Sequence, residues 1–343
     1  MRAPKEEILN QDKLLIPPEY LRFATPASVA LYRAERLKCN TIAEIGCGIG
    51  GQTFAFAETC KKVIAVEIHP GLYETAKNNI EALGIKNVEL ILGDGLSDDI
   101  VKKIKKEKPD IVFCDTERKL EGERTIDDLR PDLRELMEKY SFCDKIAIEV
   151  PPYTNDLDRL KGKREHESFE QEFISLNGKL NRLTLYFNKL KQTEKSAVSL
   201  PSKTRIEKNE TKKVEFTDSA IGFKHLYTID PSITMAGIIN DLAAHLKRVK
   251  LMELNKKSYF LSKEKIESDF LVGYKILDVC ENKFETILES LKKADAKSVV
   301  LRYTINPLEY WKERKKYESQ LIGKKKVHLF ANNEAILCES LKY

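Results

Sequence analysis

The residues with the most chemical potential form one short run, Glu44-x-Gly46-x-Gly48-x-Gly50-Gly51. Glycines let the backbone turn sharply and approach a ligand with no Cβ in the way. A helix predicted to begin at Gln52–Thr53 would present its free first-turn N–H groups there. Glu44 adds a carboxylate that can face a cationic amino group. Gly51 falls one position early for the GxGxxG dinucleotide fingerprint, and the Gly-Lys-Ser/Thr ending of a nucleotide P-loop is missing. Three acids follow in order. Glu67, 17 residues after Gly50, ends the run Val63–Val66 and is followed by Ile68. An acid at that place can accept both ribose hydroxyls of an adenosine. Asp94, between Gly93 and Gly95, is placed to accept from an adenine amine. Asp115 ends Ile111–Cys114 and would stand between cofactor and substrate. Each signal alone has a plain alternative: a glycine turn, a solvated strand-end acid, an Asp-Gly turn. Their joint order is the stronger evidence.

Elements must carry these residues to one place. Short apolar runs predict strands over Thr41–Ile45, Lys62–Val66, Val88–Leu92, Asp110–Asp115 and Lys145–Val150. Helical stretches lie between them, over Thr53–Thr59, Gly71–Leu83, Ser97–Lys106 and Ile126–Lys139. Strands alternating with helices imply βαβ units and a parallel sheet, which binds ligands beyond its C-terminal strand ends. Gln171–Leu176, Arg182–Asn188 and Ser196–Leu200 read as further strands at an antiparallel end, with Asn177–Gly178 as a hairpin turn. Residues 1–35 read as helical, broken by Pro17–Pro18 and Pro26. The expected divisions are an N-terminal helical segment (1–35), a cofactor domain (36–205), a polar linker (206–224) and a C-terminal domain (225–343). The C-terminal pattern is helix Pro231–Lys247, strand Val272–Val279, helix Lys283–Ala294, strand Ser298–Leu301, helix Pro307–Ser319, and strands Val327–Ala331 and Ala335–Glu339.

On these residues, 41–115 resemble a class I S-adenosylmethionine (SAM)-dependent methyltransferase. The loop Gly48–Thr53 is similar to that of trimethylguanosine synthase and its relatives. A wider resemblance is to methyltransferases with a C-terminal THUMP-like domain, carried by Ala24–Thr25–Pro26 and by Leu226–Ile233 with Ala236–Gly237. Asp115–Thr116–Glu117–Arg118 stands where that group has Asp-Pro-Ala-Arg, with Thr116 replacing the proline. The resemblance implies a Rossmann-like seven-stranded α/β sheet, a THUMP-like α/β domain, SAM as cofactor and RNA methylation. The implied cofactor contacts are Thr25, Glu44, Gly46, Gly48, Gly50, Gln52, Thr53, Glu67, Ile68, Asp94, Gly95 and Asp115.

Methyl transfer from a sulfonium is an in-line displacement, accelerated mainly by positioning. Asp115 is the first candidate on the substrate side, through a hydrogen bond to an amine or ring nitrogen. Tyr153 is the second, in Glu149–Val150–Pro151–Pro152–Tyr153. That segment is near the Asp/Asn-Pro-Pro-Tyr/Phe motif of amino-group methyltransferases but follows the fifth strand and leads with Val. Tyr153 either stacks on a base or packs at a rigid strand exit.

Between Lys297 and Lys326 there are nine Lys or Arg and three Glu, with Tyr303, Tyr310, Trp311 and Tyr317 interleaved. Cations neutralise phosphates and aromatic faces stack on unpaired bases. The RNA-binding candidates are Arg302, Trp311, Lys312, Arg314, Lys315, Lys316, Lys324, Lys325 and Lys326; a solvated charged helix is the alternative. The seven cysteines form no CxxC, and the five histidines show no ligand spacing, so no metal is expected. No apolar run reaches a membrane-spanning length, and a cytoplasmic protein is expected. The reading is a SAM-dependent enzyme acting on a nucleotide base in structured RNA, tRNA or rRNA. A silent RNA-binding protein with this fold, or a methyltransferase for small molecules or proteins, is the alternative.

Overall fold

A computed structural model describes residues 8–21, 24–118, 124–160, 168–210 and 212–341. The chain forms two compact units, Met1–Lys208 and Asn209–Tyr343.

In the first unit, helix α1 (Ala27–Arg36) leads into strand β1 (Thr41–Ile45), helix α2 (Gly51–Thr59), β2 (Lys62–Glu67), α3 (Pro70–Ala82), β3 (Val88–Leu92), α4 (Asp98–Glu107) and β4 (Ile111–Asp115). A two-stranded ladder follows, β5 (Glu117–Arg118) with β6 (Leu129–Arg130), then α5 (Leu133–Lys139) and β7 (Ile146–Val150). The unit ends with β8 (Phe169–Leu176), β9 (Lys179–Phe187), β10 (Lys195–Leu200) and β11 (Thr204–Glu207). The sheet order is β11-β10-β8-β9-β7-β4-β1-β2-β3. Strands β1 to β4 and β7 pair in parallel, and β9 runs antiparallel to both β7 and β8. The chain leaves β1 outward through β2 and β3, then returns to the other side of β1 at β4. That reversal is a topological switch point, where open α/β sheets leave a crevice.

The sheet corrects several expectations. Among the described residues it has nine strands, not seven. β10 pairs in parallel with β8, and β11 comes from residues taken for polar chain. Thr204–Glu207 turns only Ile206 fully inward, so it carries almost no apolar signal. Before α1 the described residues of the N-terminal segment include the 3₁₀ turn Gln11–Lys13 and no α-helix, where a run of helix was expected; the expectation for residues 1–7, 22 and 23 lies outside the described residues. The helix expected over Ile126–Lys139 is a 3₁₀ turn, strand β6 and the short α5, because Pro131 has no N–H to give a helix interior. Asn177 and Gly178 both have positive φ, 51° and 71°, and join β8 to β9 by a two-residue hairpin.

The second unit comprises β12 (His225–Ile229), α6 (Pro231–Ala236), α7 (Ile239–Leu246), β13 (Lys250–Leu254), β14 (Lys257–Ser262), β15 (Leu271–Glu281), α8 (Phe284–Lys293), β16 (Ala296–Leu301), α9 (Tyr310–Glu318), β17 (Lys325–Ala331) and β18 (Glu334–Ser340). Its sheet runs β13-β14-β12-β15-β18-β17-β16, and only β16 and β17 are parallel. The single helix expected over Pro231–Lys247 is two, because Gly237 ends α6 in the left-handed region at φ 69°. The hairpin β13–β14 was not expected; Asn255 and Lys256 turn it, both at positive φ. Ile287, Leu291, Val299, Tyr317 and Val327 form the core under α8 and α9.

Candidate active site

The five strands β1, β2, β3, β4 and β7 are parallel, so the loops after them share one edge of the sheet. The glycine loop, Glu67–Ile68, Gly93–Gly95, Asp115–Thr116 and Pro151–Tyr153 all lie on that edge.

The glycine loop turns through three left-handed residues, Gly46 (φ 80°), Gly48 (φ 58°) and Gly50 (φ 94°). Gly46 has no room for a side chain: a Cβ there would sit 2.7 Å from the Asp115 carbonyl oxygen. Gly48 is the opposite case, with no heavy atom within 4 Å of a Cβ position. One glycine lets β1 and β4 converge, and the other leaves open space in front of the loop. Gly50 caps α2, whose first residue is Gly51. Thr25 is buried beside this end, its N–H 3.5 Å from a Cβ placed on Gly51.

Glu67 is buried and braced. Its Oε2 accepts from the Gly48 N–H at 2.7 Å and its Oε1 from the His69 N–H at 2.8 Å. A carboxylate offers about four lone-pair positions, so two remain for a ribose diol. Ile68 beside it is 63% exposed, an apolar face on the ligand edge. His69 caps α3 by accepting from Leu72. Asp94 is exposed, and its carboxylate accepts from the Leu96 N–H at 2.9 Å. Gly95 presses on β1, where a Cβ would meet Ile45 at 2.5 Å. Tyr140 holds the loop by donating to the Gly95 carbonyl at 2.7 Å.

Glu44 is 1% exposed and accepts from the Thr53 hydroxyl at 2.6 Å. Burial pushes its carboxyl up to about 7, against the lowering effect of Thr53 and Arg33. Gln52, expected among the ligand contacts, turns its side chain to α1. It accepts from Arg33 at 2.8 Å and donates to the Ala30 carbonyl at 3.1 Å.

Sequence reasoning missed the charges beneath this edge. Arg33 is fully buried, stacks 4.9 Å over the Phe113 ring and pairs with Glu149. Arg182 from β9 pairs with the same carboxylate. Glu149 lies beside Asp115 in the β4–β7 register. Burial, with Glu149 adding to it, raises the Asp115 carboxyl well above its ordinary range, while Arg182 and Arg33 oppose the shift. The signal was present: Arg33 occupies an apolar-face position of α1, between Ala30 and Leu37, and Glu149 interrupts the apolar run of β7. Farther along β8, Glu170 and Glu172 are buried against Arg36, Arg205, Tyr32 and Tyr186. These residues lie toward the opposite end of the sheet and clamp α1 to it.

Tyr153 is 51% exposed, with the Arg124 guanidinium 5.8 Å from its ring centre. It is an open aromatic face rather than a packed one. In the second unit, Trp311 is 69% exposed while Tyr310 joins the core beside it. The Arg314 guanidinium lies 5.2 Å over the Trp311 ring and also pairs with Glu318 at 2.8 Å. Lys312, Lys315, Lys324 and Lys326 are exposed; Lys316 pairs with Glu313 and Lys325 with Glu339. Arg302 is exposed too, but its Nε donates to His328 at 3.1 Å. Among the described residues no cluster of three His, Cys, Asp or Glu could hold a metal, and no helix is long and apolar enough to cross a membrane.

Residues 39–190 match the family model of RNA cap guanine-N2 methyltransferases. An uncharacterised SAM-dependent methyltransferase of Mycobacterium tuberculosis is 24% identical over 302 residues, covering 85% of this chain and 78% of the relative. A probable ribosomal RNA small subunit methyltransferase A of Methanosarcina mazei is 33% identical over 129 residues, 37% of this chain. The chain spans about half the length of relatives matched over such short stretches, 51% and 44% of two of them. A crystal structure from Porphyromonas gingivalis W83, described as a methyltransferase, superposes with a TM-score of 0.75 at 21% identity, covering 95% of this chain and 83% of the other. The chain has the class I methyltransferase fold and is a SAM-dependent methyltransferase. The open space before Gly48 and the two unused positions on Glu67 fit that cofactor.

Proposed function

We propose that this enzyme methylates a nucleotide base in structured RNA, tRNA or rRNA. The observation that carries the reading is the exposed Tyr153 ring with Arg124 against it, at the end of the strand beside Asp115. An aromatic face and a guanidinium plane are what an unpaired base stacks on. The match to RNA cap guanine-N2 methyltransferases supports the same class of substrate.

In this reading Glu67 holds the ribose, Glu44 faces the amino-acid end of the cofactor, and Asp94 lies near the adenine. The bound cofactor supplies an electrophilic methyl group. Asp115 orients the accepting amine or ring nitrogen by hydrogen bonding, and Tyr153 holds the base plane. The second unit, a THUMP-like domain here, captures RNA through Arg302, Trp311, Lys312, Arg314–Lys316 and Lys324–Lys326. A domain division at 36–205 and 225–343, with 206–224 as linker, belongs to the same proposal.

Incubation with methyl-labelled SAM and bulk tRNA or rRNA tests it. Label in nuclease-sensitive RNA is expected. Label found only in small molecules or protein would reject RNA as substrate.

A further inference from the structure

One pair of cysteines touches. Cys39 Sγ lies 3.7 Å from Cys60 Sγ, and no other two sulfurs meet among the described residues. Cys39 precedes β1 and is half-buried; Cys60 follows the last residue of α2 and is 5% exposed. Both line a cavity of about 510 Å³ together with Lys38, Asn40, Glu58 and Lys61. The sequence reading gave neither cysteine a role, and neither lies on the cofactor edge.

We propose that Cys39 and Cys60 are a dithiol site that a low-molecular-weight disulfide oxidises to an intramolecular disulfide. A disulfide bond is about 2.05 Å long, so each sulfur needs to move less than about 1 Å from its present place. The Cys60 thiolate attacks one sulfur of the oxidant and expels a thiolate. The Cys39 sulfur then attacks the Cys60 sulfur of the mixed disulfide and expels the second thiolate, which takes the Cys39 proton. The protein loses two electrons and two protons, and the oxidant becomes two thiols. The hydrogen bond it shares with Cys39, with the Thr59 hydroxyl 3.8 Å away, holds the Cys60 thiol below its ordinary value and so favours it as the attacking sulfur. Lys38 and Lys61 at the cavity suit an anionic oxidant such as oxidised glutathione.

The ring this bond would close runs from Cys39 to Cys60. It contains β1, Glu44, the whole glycine loop and α2, so the cross-link acts on the chain that forms the cofactor cradle. It requires no assumption about the methyl acceptor.

The test treats the full-length protein with oxidised glutathione, alkylates remaining thiols after unfolding, and maps peptides by mass spectrometry. Two of the seven cysteines should be protected, recovered as a linked Cys39–Cys60 peptide pair. Closing a loop of this length should raise Tm by roughly 5–10 °C over dithiothreitol-reduced protein. Cys39→Ser and Cys60→Ser should each abolish the linked pair and the Tm rise. Alkylation of both Cys39 and Cys60 after oxidation, or a glutathione adduct that persists on either without a link, would overturn the proposal.

Discussion

The Thr53 hydroxyl donates to Glu44 Oε2 at 2.6 Å, tying the first turn of α2 to the end of β1 beneath the glycine loop. With Glu44 raised to about 7 by burial, the free enzyme holds a proton there that a cationic ligand would expel. SAM affinity should therefore rise roughly tenfold between pH 5.5 and 7.5. Glu44→Gln should flatten that profile in isothermal titration. The same shift has a stability sign. The folded form keeps a proton that the unfolded chain loses above about 4.5, so this contribution is lost as pH rises through about 7.

In the proposed function Glu67 serves the cofactor and Tyr153 the substrate. Glu67→Ala should weaken SAM binding at least tenfold, having lost a braced pair of acceptors. Tyr153→Ala should leave SAM affinity within about threefold and raise KM for RNA, since a stacking contact contributes about 1–3 kcal/mol per base. Titration of both variants gives the answer; equal losses of SAM affinity would contradict the division.

Arg33 is a structural cation with Glu149 as its anion. Arg33→Met should destabilise the fold by about 3–5 kcal/mol, because it strips one partner from a buried carboxylate that Arg182 alone then faces. Chemical denaturation measures this, and the loss should exceed that of an exposed pair such as Lys189–Asp144, which solvent screens.

Helix α9 offers two exposed lysines with no acidic partner among the described residues, Lys312 and Lys315. Replacing both with alanine should weaken RNA binding at every sequence alike and lower the salt slope by about two. Trp311→Ala should weaken binding with little change in that slope. Filter binding across a salt series separates the two effects.

Much of the candidate site's geometry was legible because strand-end acids and a glycine loop leave marks at fixed places in a βαβ pattern. Glu67, Asp94 and Asp115 each fall where a short apolar run stops, and a parallel sheet brings such ends together. The buried charges were less legible. Arg33, Glu149, Glu170 and Glu172 sit at core positions, but a charge inside a periodic run reads as solvated until its partner is found far along the chain. β11 was hidden for a related reason, since Thr-Arg-Ile-Glu buries one apolar side chain and pairs its charges sideways. Gln52 shows the limit of reading a helix start: its type suits a ligand contact, but its side chain is held by Arg33 and the Ala30 carbonyl.

The most direct test digests methyl-labelled RNA to nucleosides after reaction with the enzyme and labelled SAM, and separates the products by mass spectrometry. Label is expected on the base of a nucleoside, lost with Glu67→Ala and reduced with Tyr153→Ala. Label on the ribose, or on no nucleoside while SAM still binds, would contradict it.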